Sequence, residues 1–213
     1  MRNHHVPSVD TRTYENINFS EALKHSLCTS ITYDVSHWLF VPNTYTEYRY
    51  ILGTRGTNPL ICVGVNPSTA APDHLDPTLQ SVQRIALHNG YDSFLMFNVY
   101  AQRATSPKDM DRLCHKELHQ ENLNAFRYAL SLSEKPAVWA AWGNIIEMRD
   151  YLYPCLCDMI EASLASGASW YHCGLISKKG HPHHPLYLRK DEPLLEFNIQ
   201  SYLRFLQTKG KTA

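Results

Sequence analysis

Four short runs of continuously apolar residues divide the chain, at 60–65, 93–98, 137–142 and 170–175. A strand covered on both faces needs apolar residues at every position rather than at alternate ones, so each run reads as a buried parallel strand. Longer segments of mixed polarity lie between them. Asp76-Pro77-Thr78 opens the first as a helix: Asp accepts from free N–H groups and Pro suits the first helical position. That helix should run to about residue 88, with Gly90 as its stop. Ser106-Pro107 opens a second, broken helical region to about 132, and residues 145–165 form a third, kinked near Pro154. Residues 192–206 close the chain as a helix, with Leu194, Leu195, Phe197, Tyr202 and Phe205 on its buried side. Upstream, residues 31–52 are rich in Tyr, Trp, Phe and Val; 48–52, a turn region at 53–58 and Pro59 suggest an edge hairpin.

Strands alternating with helices predict an α/β fold, a three-layer αβα sandwich with a four-stranded, mainly parallel sheet plus the amino-terminal edge hairpin. Residues 1–30 read as a polar arm with one short helix, and 31–213 as a single α/β domain.

Composition narrows the class without naming a chemistry. Apolar residues make up 44% and charged residues 19%, as in ordinary globular chains. No apolar run approaches the roughly 18 residues that span a bilayer, and Met1-Arg2-Asn3-His4-His5 leads into polar sequence, so no membrane partner and a cytoplasmic location are expected. The six cysteines show no CxxC pair, which argues against a disulfide framework or an iron–sulfur cluster. Twenty basic residues balance twenty acidic ones, removing the long-range attraction that many nucleic-acid binders use.

In open parallel sheets ligands bind beyond the carboxyl ends of the strands. The first strand here ends in Asn66-Pro67-Ser68-Thr69-Ala70 and the second in Asn98-Val99-Tyr100-Ala101-Gln102-Arg103. The third ends in Trp142-Gly143-Asn144, and the fourth leads to Gly180-His181-Pro182-His183-His184-Pro185-Leu186-Tyr187-Leu188. Singly, each has a plain structural explanation. Asn66 and Asn144 suit turns, Asp76 a helix cap, and Trp139 and Trp142 the core. Together they place polar groups of four strand ends at one edge of the sheet.

The pattern N-P-S-T-A, D-P-T, N-x-x-A-x-R-A-T, W-G and G-H-P-x-H-P-L-Y-L resembles an uncharacterised bacterial and phage family, domain of unknown function 1643, over roughly residues 45–190. The same landmarks resemble, more distantly, the uracil-DNA glycosylase superfamily. That resemblance implies a uracil-DNA-glycosylase-like fold and an N-glycosidase that hydrolyses a base–sugar bond in DNA or in a modified nucleotide, with no cofactor and no metal. It implies Asn66 as the residue that positions water, Asn98 as the reader of the base edge, and His181 or His184 as the support for the departing base. Asp76 joins the catalytic candidates; Pro67, Ser68, Thr69, Arg103, Trp142, Gly143 and Tyr187 join Asn98 as substrate-binding ones. The chemistry suits these types. Glycosidic cleavage puts negative charge on the base, which a histidine donor stabilises, and an amide offers a donor and an acceptor to a pyrimidine edge. A base in a duplex would first be flipped out.

Departures from the superfamily pattern are specific. The loop carries an extra residue, so His181 and His184 both remain candidates, and His183-His184 stand where a phosphate-contacting Ser belongs. The first motif lacks a water-activating acid unless Asp73 or Asp76 folds back. Two other functions fit the same residues. One is a non-catalytic nucleotide- or nucleic-acid-binding module, with Arg103, Lys178 or Lys179 on a phosphate. The other is a metal-dependent hydrolase using His181, His183 and His184 with Asp73 or Asp76.

Overall fold

Backbone pairing of the four apolar runs builds the centre of one mixed sheet. The computed structural model describes residues 16–30 and 32–209. Its strands are β1 (Trp38–Val41), β2 (Ile51–Thr54), β3 (Pro59–Gly64), β4 (Ser93–Asn98), β5 (Ala137–Ala140), β6 (Ser169–Cys173) and β7 (Leu194–Glu196), in the spatial order β1-β2-β4-β3-β5-β6-β7. β3 pairs in parallel with β4 and with β5, and β5 with β6. The remaining pairings, β1 with β2, β2 with β4 and β6 with β7, are antiparallel. Among the described residues the sheet therefore has seven strands: the four apolar runs form its parallel middle, the expected hairpin supplies β1 and β2, and β7 is an addition that the sequence pattern does not predict.

The departures at the two edges have identifiable causes. The sequence pattern puts 192–206 in one helix, but Leu194–Glu196 pair with the open edge of β6, leaving Leu195 48% exposed. The Asn198 side chain then accepts from Ser201 N–H at 2.9 Å, so the helix starts only at Ile199. At the opposite edge the hairpin exists, but its connection is 42–50; the expected turn at 53–58 instead links β2 to β3. The predicted kink at Pro154 is also absent. Pro154 lies in the first turn of a helix that begins at Leu152, where a missing N–H leaves no bond unmade.

Alternate residues of the central strands feed two cores. Ile61, Val63, Phe97 and Val138 face α1 (Phe19–Ser26), α3 (Lys116–Leu130), α4 (Leu152–Ala165) and α5 (Ile199–Lys209). Leu60, Cys62, Met96 and Trp139 face α2 (Pro77–His88), whose Leu79, Val82 and Ile85 are buried against them. This two-sided cover is why β3, β4 and β5 are buried at every position. Residues 1–15 of the polar arm lie outside the described residues, while Phe19 and Ala22 of α1 belong to the larger core. Among the described residues no helix is long and apolar enough to cross a membrane.

The strand order fixes where a ligand can enter. From β3 the chain passes through α2 to β4 on one side, then through α3 to β5 on the other. The segments leaving β3 and β5 diverge to opposite faces, which opens a crevice at the carboxyl ends of the strands.

Gly53 shows how tightly β2 lies against β4: a Cβ there would stand 2.8 Å from Leu95 Cα and closer still to the Phe94 carbonyl. Backbone cannot yield as a flexible side chain can. Gly53→Ala should therefore lower stability by about 3 kcal/mol, read as a reduced urea midpoint at unchanged slope; an unshifted midpoint would show that the edge strands move independently of the centre.

Candidate functional site

The segments beyond β3 and β4 stay paired after the strands end. Val99 N–H donates to Gly64 O at 2.9 Å, Tyr100 N–H to Val65 O at 3.0 Å and Ala104 N–H to Pro67 O at 2.9 Å. They form one wall of a cleft of about 520 Å³; α2's first turn and the 184–187 loop form others, and Arg49 and Ile145 also line it. A second cleft, about 590 Å³ between α1 and the 42–48 segment, lies away from the strand ends and holds none of the predicted site residues.

Asn66 is fixed on the cleft wall through its nitrogen. Its Nδ2 donates to Pro67 O at 3.0 Å and to Ala104 O at 2.8 Å, which leaves Oδ1 as the open acceptor. Asn98, only 1% exposed, satisfies its neighbours when its amide is oriented with the NH2 toward the carbonyls of Asn66 (3.2 Å) and Phe97 (3.3 Å), the assignment its surroundings require. Its donors are thus used within the protein, and an acceptor is what it presents to the cleft. That limits the donor-plus-acceptor reading of a pyrimidine edge expected from the sequence.

Asp76 takes both of its predicted positions at once: Oδ1 accepts from Leu79 N–H at 2.9 Å as the α2 cap, and the residue lines the cleft. Asp73 turns away, accepting from Trp38 Nε1 at 3.0 Å.

The two candidate loop histidines separate. His181 is wholly buried behind the cleft, its Nδ1 2.7 Å from Tyr202 Oη and its Nε2 3.3 Å from Glu147 Oε1. Trp142 Nε1 can only donate, and it does so to Tyr202 Oη at 2.9 Å. Tyr202 Oη thus bridges Trp142 to His181 Nδ1, and His181 Nε2 faces Glu147, which Lys179 also binds. These hydrogen bonds, led by that of Lys179, hold the Glu147 carboxyl below its usual range. His184 is the histidine on the cleft. Its Nδ1 accepts from Leu186 N–H at 3.3 Å, so neutral His184 carries its proton on Nε2. Burial lowers its pKa, and the nearby Asp76 opposes that shift.

The remaining predicted residues divide between wall and support. Ser68 and Tyr187 line the cleft, Tyr187 79% exposed, whereas Pro67 is buried and Thr69 is exposed outside it. Trp142 is wholly buried in the larger core, so its ring is no wall of the cleft. Gly143, at φ 59°, adopts a left-handed turn under the histidine loop, where an added Cβ would stand 3.5 Å from His184 Cβ. Ser81 Oγ ties that loop to α2 by donating to Pro185 O at 2.9 Å.

No three-residue metal cluster forms among the described residues, and the separation of His181 from His184 removes the convergence that a metal-dependent hydrolase at this loop requires. Lys178 and Lys179 do not line the cleft; Lys179 is on Glu147.

Arg49 is a cleft residue that the sequence pattern does not single out. It is 1% exposed, and its only signal is a cation inside the strand-like run Tyr48-Arg49-Tyr50-Ile51-Leu52. Its Nη1 donates to Ala70 O at 3.0 Å. Arg103, fully buried behind it, reaches the same carbonyl at 3.4 Å, also binds Ser68 O, and lies 4.3 Å from the Tyr45 ring centre. Burial, reinforced by the Arg103 charge, disfavours the charged form of Arg49.

Fold and site together define an α/β protein with a polar cleft beyond the carboxyl ends of a parallel-centred sheet. The chain belongs to the family described as protein of unknown function DUF1643, whose model matches residues 49–186 and so takes in every residue of that cleft except Tyr187. No curated protein and no solved structure matches it.

Two measurements probe this support. Tyr202→Phe removes a partner of both Trp142 Nε1 and His181 Nδ1 in the interior, and should cost about 2 kcal/mol in chemical denaturation; an unchanged midpoint would mean the hydroxyl bonds are not maintained in solution. Burial also holds His184 and His172 below the ordinary imidazole value of 6.5. From 6.5 downward the unfolded chain takes up protons that the folded chain refuses. Stability should thus be complete above pH 6.5 and decline as pH falls toward the lowered folded values. Denaturation at pH 7.5 and 5.5 checks this, and His184→Asn should flatten part of the slope.

Proposed function

We propose that the protein is a nucleobase-recognising N-glycosidase with a uracil-DNA-glycosylase-like fold, acting on DNA or on a modified nucleotide. The observation that carries this reading is Asn66, held by two backbone carbonyls so that only its Oδ1 is open, in the same cleft as the Nε2–H of a neutral His184. Four parallel strands with helices on both faces are in keeping with the resemblance.

The chemistry divides between these residues. Asn66 Oδ1 accepts from a water and aims its oxygen at the anomeric carbon. The carbon–nitrogen bond breaks with its electron pair leaving on the base, and His184 Nε2–H donates to the base as negative charge grows there. One such donor supplies roughly 3–4 kcal/mol of transition-state stabilisation. Water's oxygen bonds to the sugar, and its proton passes to the free oxygen of Asp76 or to solvent. Asp76 thereby provides the acid that the first motif lacks. Keeping His184 neutral matters, because a neutral imidazole retains this donor without adding a cation beside the developing positive charge on the sugar.

Base release from single- and double-stranded oligonucleotides carrying uracil or other modified bases, beside the matching free nucleotides, tests the reading. Asn66→Ala should reduce release at least a hundredfold with the thermal midpoint little changed. Undiminished release would remove Asn66 from the reaction. Saturable binding of one nucleotide with no release from any substrate would replace the glycosidase with a binding module built on the same cleft.

A further inference from the structure

Arg49 and Arg103 form a pair of buried cations with unmet hydrogen-bonding capacity. Arg49 Nε and Arg103 Nε and Nη2 are buried without a partner, and among the described residues no carboxylate comes within ion-pair distance of either guanidinium. Both donate to one carbonyl oxygen, that of Ala70, which carries no full charge to set against two. Buried charges are ordinarily paired, and leaving a guanidinium uncompensated in the interior is costly. Had the pair served only to hold the 68–70 loop, neutral amide donors would suffice. A guanidinium at the cleft wall suits an oxyanion by its planar array of donors.

The surroundings of Arg49 fit that partner. Ser68 and Thr78, with hydroxyls that donate, line the same cleft, and the amino-terminal turn of the 12-residue α2 opens onto it. Asp76 faces Arg49 from that turn, attracts it electrostatically and repels an incoming anion. With both arginines protonated, the three side chains still leave an excess of one positive charge. Arg103, backed by Tyr45, does not reach the cleft and instead reinforces the field behind Arg49.

We propose that Arg49, supported by Arg103, makes this end of the cleft a subsite for a single phosphate monoester, so that the ligand is a nucleotide carrying a terminal phosphate rather than a neutral nucleoside. The inference rests on the reading above only in taking the ligand to contain a nucleobase; it does not require that the glycosidic bond be cut.

Three ligands decide it, titrated into the full chain by calorimetry: inorganic phosphate, a panel of nucleosides, and their 5′-monophosphates. Inorganic phosphate should bind saturably where acetate does not, and at least one monophosphate should bind tenfold or more tightly than its nucleoside. Arg49→Gln should abolish that preference, a tenfold loss being the least expected for one charge-assisted contact, and Arg49→Lys should restore part of it. Equal binding of nucleoside and monophosphate, or a preference that survives Arg49→Gln, overturns the subsite. So does acetate matching phosphate. Should Arg49→Gln fail to fold, the Arg49 Nε–H resonance of the unmodified protein decides: movement on adding phosphate supports the assignment, and none overturns it. A phosphate preference without base release leaves the subsite and removes the glycosidase. Base release without a phosphate preference does the reverse.

Discussion

The hydrogen-bonded register between β3 and β4, carried past the ends of both strands, is the constraint on which the cleft depends. Six residue pairs align Pro59–Gly64 with Ser93–Asn98, and the next backbone bonds run from Val99 to Gly64, Tyr100 to Val65 and Ala104 to Pro67. Because the two chains part only after this, Asn66 finds the Ala104 carbonyl within 2.8 Å, and Asn98 finds that of Asn66. Pairing of this kind would ordinarily leave nothing polar for a ligand. Here each amide satisfies backbone with its nitrogen and keeps its oxygen, so rigidity and availability come from the same contacts. A site set by main-chain bonds holds its geometry without needing a ligand to organise it.

A similar division of labour explains the histidine-rich loop. His181 and His184 are three residues apart, yet one belongs to the core and the other to the cleft. The chain Trp142–Tyr202–His181–Glu147 joins the end of β5, the helix α5 and the loop through successive hydrogen bonds. Burying those polar groups is tolerable because each faces a partner. With His181 so anchored and Pro185 tied to Ser81 of α2, His184 has little freedom, and its Nδ1 is already committed to Leu186 N–H. Burial moves the titration of this histidine to lower pH than that of a solvated loop histidine, with Asp76 opposing the shift.

What the sequence made legible follows from which interactions are local. Continuous apolar runs announced β3, β4 and β5 because burial on both faces leaves a mark at every position, whereas β6, covered only in part, was marked chiefly by Trp170 and Cys173. Asp76-Pro77 announced α2 because a cap and its helix are adjacent in the chain. Edge strands are set by a neighbour's open backbone, so β7 had no period of its own, and the cap that ends it, Asn198, looked like any polar residue in a helical stretch. That His181 is buried while His184 lines the cleft reflects a tyrosine 21 residues beyond His181. Trp142 and Gly143 share a motif but not a task, one packing in the core and the other making room beneath the loop. Arg49 was hidden for the same reason: its environment is assembled from Ala70 and Arg103, neither of them near it in sequence.

Charge placement bears on the size of the ligand. The chain carries 20 basic and 20 acidic residues, so its net charge supplies no long-range attraction for a polyanion. A protein that tracks a nucleic-acid backbone places its cations on the surface, where each meets a phosphate and releases a counterion. Arg49 and Arg103 are instead interior, 1% and 0% exposed, and only one of them reaches the cleft. Interior placement gives up long-range attraction in return for strength at one point, since a charge screened little by solvent acts strongly on whatever comes into contact with it. Such an arrangement selects one anionic group at a fixed distance from Asn66 and His184. It discriminates among small ligands by whether they carry that group, which a surface patch of the same two residues could not do.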